Sequence, residues 1–145
     1  MTAPEDPGLR ITWTLVGRGW AKCVAEADAA RVELTASYLS TAPEDLLTAV
    51  ARLAAGETET RAQFEAEPTA FRWIFHREGD DAWLRLLELR HGGEHDKAGT
   101  ELWSGPVSMD RLVGAVVRCF DEVATVYGES GYRGKRGEHF PRGEL

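Results

Sequence analysis

Apolar and polar residues alternate with a period of two along most of the first forty positions of the chain. Three stretches show this alternation: LRITWTLV (9–16), WAKCVAEA (20–27) and RVELTASYL (31–39). Short turn-like segments separate them, which is typical of antiparallel strands. The pattern predicts a three-stranded meander, although the alanine-rich second stretch also fits a helix. Residues 1–8, rich in proline and acidic side chains, are predicted to be a disordered lead-in.

The period changes to that of a helix in two places. In STAPEDLLTAVARLAAG (40–56), Leu46, Val50 and Leu53 form one apolar stripe, acidic residues occupy the first turn, and a glycine follows the last turn. These are the usual signals for the start and the end of a helix. A second helical pattern begins after Ser108, a good N-cap residue, and is predicted to end at Gly128.

Four further strands are predicted between the two helices. Their sequences are TETRAQFEAE (58–67), AFRWIFHR (70–77), AWLRLLELR (82–90) and TELWS (100–104). The order of elements is therefore β-β-β-α-β-β-β-β-α, which favours an α+β fold. We expect a single antiparallel sheet of six to seven strands with two helices packed on it. Residues 9–128 would form one domain, and residues 129–145 a glycine-rich C-terminal strap.

Carboxylates recur on one side of the strand that precedes Pro68. Glu65 and Glu67 lie two residues apart, about 7 Å along a strand, a distance that would suit a pair of glycosidase carboxylates. However, the two residues of such a pair flank the scissile bond, and one strand does not place them so. Phe64 and Ala66 alternate with these glutamates, so we expect the apolar residues to face the core. The glutamates would then form a solvated face and have no catalytic role.

The segment HGGEHDKAG (91–99) concentrates potential metal ligands in a predicted loop. His91 and His95, with two acidic residues beside them, provide imidazole and carboxylate groups of the kind that zinc prefers. Two glycines lie between the histidines, so the helical HExxH arrangement of metalloproteases is absent. A polar loop explains the same residues, and we expect no metal and no cofactor.

Charge narrows the range of partners. The chain of 145 residues has a formal net charge of −7 at neutral pH. This disfavours nucleic-acid binding, which needs a basic face, and it allows a basic protein partner. No apolar run approaches the length of about 20 residues needed to cross a membrane. Cys23 and Cys119 lie among apolar residues and predict buried free thiols in a reducing cytoplasm.

Two segments carry a family resemblance. SYLSTAPEDLLTAV (37–50) and EAEPTAFRWIF (65–75), together with the YG pair at 127–128, resemble segments of small proteins of unassigned function from high-GC, actinobacterial-type bacteria. The resemblance spans most of residues 10–128. It implies a hairpin, a helix, a further antiparallel sheet and a C-terminal helix, and it carries no catalytic residue. In size, charge and layout the chain is also similar to immunity-type proteins of bacterial toxin systems.

These observations favour a cytoplasmic, non-enzymatic protein-binding domain, either an immunity-like inhibitor or a self-associating protein. Only two helices cover a sheet rich in aromatic residues, so part of the ring surface is expected to be exposed. The contact residues that we expect are Glu59, Glu65, Glu67, Arg72 and Trp73. The alternative is a small-molecule-binding protein or a hydrolase, with a pocket between the sheet and the helices.

Overall fold

The order of elements along the chain is as the periodicity predicts. The computed structural model describes residues 9–16, 20–27, 30–37 and 42–136, with the side chains of residues 43 and 123–136 excepted. The elements are β1 (Leu9–Val16), β2 (Trp20–Ala27), β3 (Ala30–Ser37), α1 (Ala42–Ala54), β4 (Glu59–Glu65), β5 (Ala70–Glu78), β6 (Asp81–Leu89), β7 (Thr100–Ser108) and α2 (Met109–Arg136). A short 3₁₀ turn, Asp96–Ala98, lies between β6 and β7. The β-β-β-α-β-β-β-β-α order is confirmed, and the alanine-rich second stretch is a strand.

The strands form two antiparallel sheets, so the prediction of a single sheet is wrong. One sheet has the order β1-β2-β3 and the other the order β4-β5-β6-β7. The physical reason is that the apolar face of a sheet must be buried against other elements. Two helices are too few to bury one face of seven strands, and here the inner faces of the two sheets share one core. In addition, α1 packs mainly against β4, at the edge where β3 would have to pair.

A chain of aromatic rings joins the two sheets and α2. The ring centroid of Trp13 on β1 lies 5.6 Å from that of Phe64 on β4, at an angle of 85° between the ring planes, and 6.3 Å from that of Phe120 on α2. Phe64 in turn lies 5.6 Å from Trp73, which stacks on Phe75 at 6.1 Å. Edge-to-face and offset aromatic pairs of this kind add to the energy of burial. The rings therefore hold three layers of the domain together.

Charged groups stabilise both ends of α1. Glu44 and Asp45 lie in its first turn, where the helix dipole favours negative charge. At the other end, the Arg77 guanidinium donates to the carbonyl of Leu53 at 2.7 Å, and Gly56 follows with a φ of +119°. A positive φ is readily available to glycine, which explains the stop that the sequence predicts.

Helix α2 is longer than the sequence predicts. Ser108 caps its start as expected, because its hydroxyl oxygen accepts a hydrogen bond from the Arg111 backbone N–H at 3.2 Å. The helix continues past Gly128 to Arg136, so residues 129–136 of the expected strap are helical. A glycine inside a helix costs only about 1 kcal/mol, which is too little to end it. Residues 1–8 and 137–145 lie outside the described residues. Within the described part, neither helix is both long and apolar enough to span a membrane.

Candidate protein-binding surface

The four-stranded sheet has an inner face in the core and an outer face on the opposite side. Phe64 is fully buried and Ala66 packs against the core, whereas Glu65 between them lies on the outer face. This confirms the direction of these side chains that alternation predicts. The antiparallel register aligns the outer residues in rows that run across the strands.

One row of the outer face is open to solvent along its whole length. It consists of Glu59, His76, Trp83 and Pro106, which are direct neighbours from β4 to β7, and all four are exposed. Trp83 keeps 47% of its surface in solvent, the largest exposure among the large hydrophobic side chains described. We call these four residues the open row. Exposed aromatic side chains on a rigid sheet are typical of protein interfaces.

The opposite end of the outer face is covered by residues 90–99, which we call the β6–β7 loop. Four outer-face residues at that end are buried and form a hydrophobic cluster separate from the main core: Ala70, Ile74, Leu87 and Leu89. Gly99 packs so closely on Leu89 that a Cβ added to it would lie 2.8 Å from a Leu89 methyl group. The loop is therefore a fixed part of the sheet surface.

Arg72 fastens the loop to the sheet. Its guanidinium donates to the carbonyl oxygens of Gly92 at 3.1 Å and Glu94 at 2.9 Å, and to the Asp96 carboxylate at 2.7 Å. It also donates to the Gln63 side-chain oxygen on β4 at 2.8 Å. Only 12% of the Arg72 side chain and 19% of the Asp96 side chain are exposed. Because its donors are engaged within the domain, Arg72 holds the loop in place and leaves none of these donors for a partner.

Two carboxylates of the loop have lowered pKa values. The Glu94 side chain is buried and accepts hydrogen bonds from the Arg90 backbone N–H at 2.9 Å and from the Arg90 side chain at 2.5 Å, which lower its pKa. Burial alone would raise the pKa of Asp96. The hydrogen bonds that it accepts from Arg72 and Arg61 outweigh burial, so the net direction is downward. Both groups therefore stabilise the loop in their ionised form.

These lowered pKa values predict that acid weakens the loop. A carboxylate whose pKa is lower in the folded protein than in the unfolded chain stabilises the fold above its unfolded pKa, and this contribution is lost as the pH falls. We expect a steady free energy of unfolding above about pH 5 and a decline below about pH 4. Urea denaturation at a series of pH values measures this. In Asp96→Asn the decline should be shallower, and an unchanged slope would contradict the role given to Asp96.

The carboxylates predicted as contact residues occupy different environments. Glu59 lies in the open row, with Arg61 at 3.3 Å as its ion-pair partner. Glu65 is half-buried and accepts from Gln63 at 2.6 Å, and a Cβ on Gly92 would come within 2.8 Å of its carboxylate. Glu67 is exposed in the turn between β4 and β5, where its φ is +45°. The three glutamates therefore do not form one cluster.

The burial of Trp73 contradicts the prediction that it is a contact residue. Its side chain is fully buried among Phe64, Phe75 and the rest of the core, so no partner reaches it. The exposed tryptophan of this sheet is Trp83, which the sequence reasoning did not select. The residues two positions before and after each tryptophan distinguish the buried one from the exposed one. Trp73 lies between Phe71 and Phe75, whereas polar residues flank Trp83 at the same spacing.

The histidines of the loop serve its own conformation. His91 accepts a hydrogen bond from the Gly93 N–H at 3.2 Å, and His95 accepts one from the Lys97 N–H at 3.1 Å, each through Nδ1. In the part of the chain that the structure describes, no three histidine, cysteine or acidic side chains converge on a point where a metal ion would be held. The two histidines are thus not brought together as a metal site.

The space between the sheets is filled. The cavity there is lined by apolar side chains, including Ala25, Leu84 and Trp103, and its volume of about 10 Å³ holds no more than one water molecule. A larger groove of about 220 Å³ lies on the surface between β1 and α2. Burial raises the pKa of Cys119 to about 12 and that of Cys23 well above its usual range. Neither thiol is therefore an ionised nucleophile at neutral pH.

This geometry defines an α+β domain of two antiparallel sheets and two helices. No protein-family model and no curated protein matches the chain. A chain from a solved structure described as "CdiA-CT/CdiI toxin and immunity complex from Enterobacter cloacae" has a similar fold, with a TM-score of 0.50. The two chains are 10% identical, and the match covers 79% of this chain and 98% of the other. At this identity the similarity shows the fold alone.

Proposed function

We propose that this chain is a non-enzymatic protein-binding domain of the immunity type, which binds a protein partner through the open row. The observation that carries the proposal is the exposure of Trp83 on β6, an interior strand of the four-stranded sheet. Tryptophan is among the residues that most often dominate the energy of protein interfaces. Here it lies on a strand, so its backbone position is fixed before a partner arrives.

The surroundings of the open row also suit a macromolecular partner. The sheet forms a floor, and the β6–β7 loop covers the opposite end of the same face through the bonds of Arg72. A prearranged surface avoids part of the entropy cost of binding. In this proposal Glu59 contacts the partner directly, Glu67 lies at the margin, and Glu65 and Arg72 support the surface.

The comparison supports the same class of function. The similar chain comes from a complex of a toxin and an immunity protein, that is, from a protein bound to another protein. The net charge of −7 on the present chain would speed its encounter with a basic partner. The alternative, a small-molecule binder or hydrolase, would need a pocket between the sheet and the helices; the cavity between the two sheets is too small for a ligand, and the grooves of about 220 Å³ beside α2 and about 580 Å³ beside α1 lie at the surface.

Replacing Trp83 by alanine tests the proposal. If Trp83 is an anchor of the interface, the affinity should fall by about 2 kcal/mol or more, which is roughly 30-fold. The tagged wild-type protein would first capture its partner from a lysate of the source organism at moderate salt. The dissociation constants of the purified partner for wild type and Trp83→Ala would then be measured by calorimetry.

The three-stranded sheet offers a matched control. Trp20 on its outer face is 39% exposed and has the exposed Val16 as its cross-strand neighbour. Trp20→Ala removes the same side chain from a surface on the other sheet, and it should leave the affinity within about twofold. If Trp20→Ala lost binding while Trp83→Ala bound fully, the interface would lie on the three-stranded sheet, and the proposal would be contradicted.

A further inference from the structure

The arginine side chains on the outer face are paired with carboxylates of the domain. Arg85, two residues along the strand from Trp83, is paired with Glu101 at 3.1 Å. Farther along the sheet, Arg61 and Arg72 both bind Asp96. Each of these cations therefore has its counter-charge within the domain.

Glu78 and Asp81 are two carboxylates beside Trp83. They are direct cross-strand partners at the end of the β5–β6 hairpin, and both are exposed on the outer face next to the open row. Neither has an ion-pair partner within the described residues. The neighbouring Arg77 donates instead to Gly79 and to the end of α1. Like charges placed directly opposite each other on a sheet repel, and no ion pair among the described residues offsets this pair.

We propose that Trp83, Glu78 and Asp81 together bind an arginine side chain of the partner. This rests on the proposed function and names the chemistry of the same surface. A guanidinium stacks on an indole through cation–π attraction, and its N–H groups match the geometry of carboxylates. The arginine would lie against Trp83 and place its charge between the two carboxylates, which relieves their repulsion. Lysine offers a compact ammonium with neither the planar stacking nor the forked donors, so it binds more weakly.

A capped tetra-arginine peptide serves as the probe in a titration of the intact protein at low salt. The chain has five tryptophans, and the indole N–H signals in ¹H–¹⁵N NMR spectra report on each of them. The signal that disappears in Trp83→Leu identifies Trp83. In wild type we expect this signal to shift and saturate while that of Trp20 stays in place. A tetra-lysine peptide should bind several-fold more weakly.

Charge variants separate a specific site from general attraction. The double variant Glu78→Gln/Asp81→Asn should raise the dissociation constant of the peptide about tenfold or more. The control is Glu88→Gln, an exposed carboxylate on the same strand as Trp83 but on the opposite face of the sheet. It should change the dissociation constant less than about twofold, because one distant surface charge contributes little.

Two results would overturn the arginine site. One is a Trp83 signal that does not respond to the tetra-arginine peptide. The other is a double variant that binds the peptide as well as the Glu88 control, because the attraction would then be only that of the net charge. The proposed function is judged separately, by capture of the natural partner. If that capture depends on Trp83 while the peptide fails, the partner binds by other chemistry, and if both fail, the protein-binding role itself is wrong.

Discussion

Replacing Trp73 by alanine is expected to lower the free energy of unfolding by about 3–5 kcal/mol, the usual cost of removing a large aromatic side chain from a core. Trp73 is fully buried, and its ring lies 5.6 Å from that of Phe64 and 6.1 Å from that of Phe75. Trp83→Ala removes an identical side chain from the surface of the next strand, where 47% of it is exposed, and should cost less than about 1 kcal/mol. Urea denaturation followed by far-ultraviolet circular dichroism compares the two.

Trp73→Phe keeps this comparison informative if the alanine variant is too unstable to fold. A domain of this size has only about 5–15 kcal/mol of stability in total, so a loss of 5 kcal/mol can unfold it. Phenylalanine retains most of the ring contacts. It also removes an indole N–H that is buried without a hydrogen-bond acceptor among the described residues. We expect a cost of about 1–2 kcal/mol. Similar losses at positions 73 and 83 would mean that the two tryptophans are not in the different environments described here.

Alternation along a strand was sufficient to predict which way the side chains near position 65 point. Phe64 lies in the core and Glu65 on the outer face because successive side chains on a strand point to opposite faces. Alternation for the strands and helical spacing for the helices gave the order of all nine main elements, and Gly56 marked the end of α1 just before it. These features depend on neighbours within a few residues, and such neighbours can be read from the sequence.

The number of sheets depends on contacts that local periodicity does not encode. Alternation predicts that a segment is a strand, but it does not predict which other strands pair with it. Here α1 follows β3 and packs against β4, so the two strands belong to different sheets. The shared core of the two inner faces also explains why Trp73 is buried: the three-stranded sheet supplies the cover that two helices alone could not.

The candidate site was found only in part for the same reason. Glu59 was selected from the sequence and lies in the open row, but its cross-strand neighbours His76 and Trp83 come from other parts of the chain. Arg72 was selected as a contact residue, whereas its partners in the β6–β7 loop lie 20 to 24 positions away. A long polar side chain on a strand can equally face solvent or a covering loop, and only the fold decides between them.

Replacing Arg72 by methionine should detach the β6–β7 loop and lower the free energy of unfolding by about 2–3 kcal/mol. Removing one partner of a buried ion pair typically costs 3–5 kcal/mol, because the other charge stays buried. The lower figure applies here because Asp96 keeps Arg61 at 2.8 Å and is 19% exposed. The carbonyls of Gly92 and Glu94 lose their donor as well, so amide hydrogen exchange in residues 91–99 should accelerate more than in the core strands.

Arg85→Met is the matched control for this loss. Arg85 lies on the same outer face, but its pair with Glu101 is between side chains that are 38% and 46% exposed. Surface pairs of this kind contribute about 0–1 kcal/mol, so this variant should lose less than about 1 kcal/mol and leave exchange in the loop unchanged. Equal losses in the two variants would mean that the apolar cluster of Ala70, Ile74, Leu87 and Leu89, and not Arg72, holds the loop on the sheet.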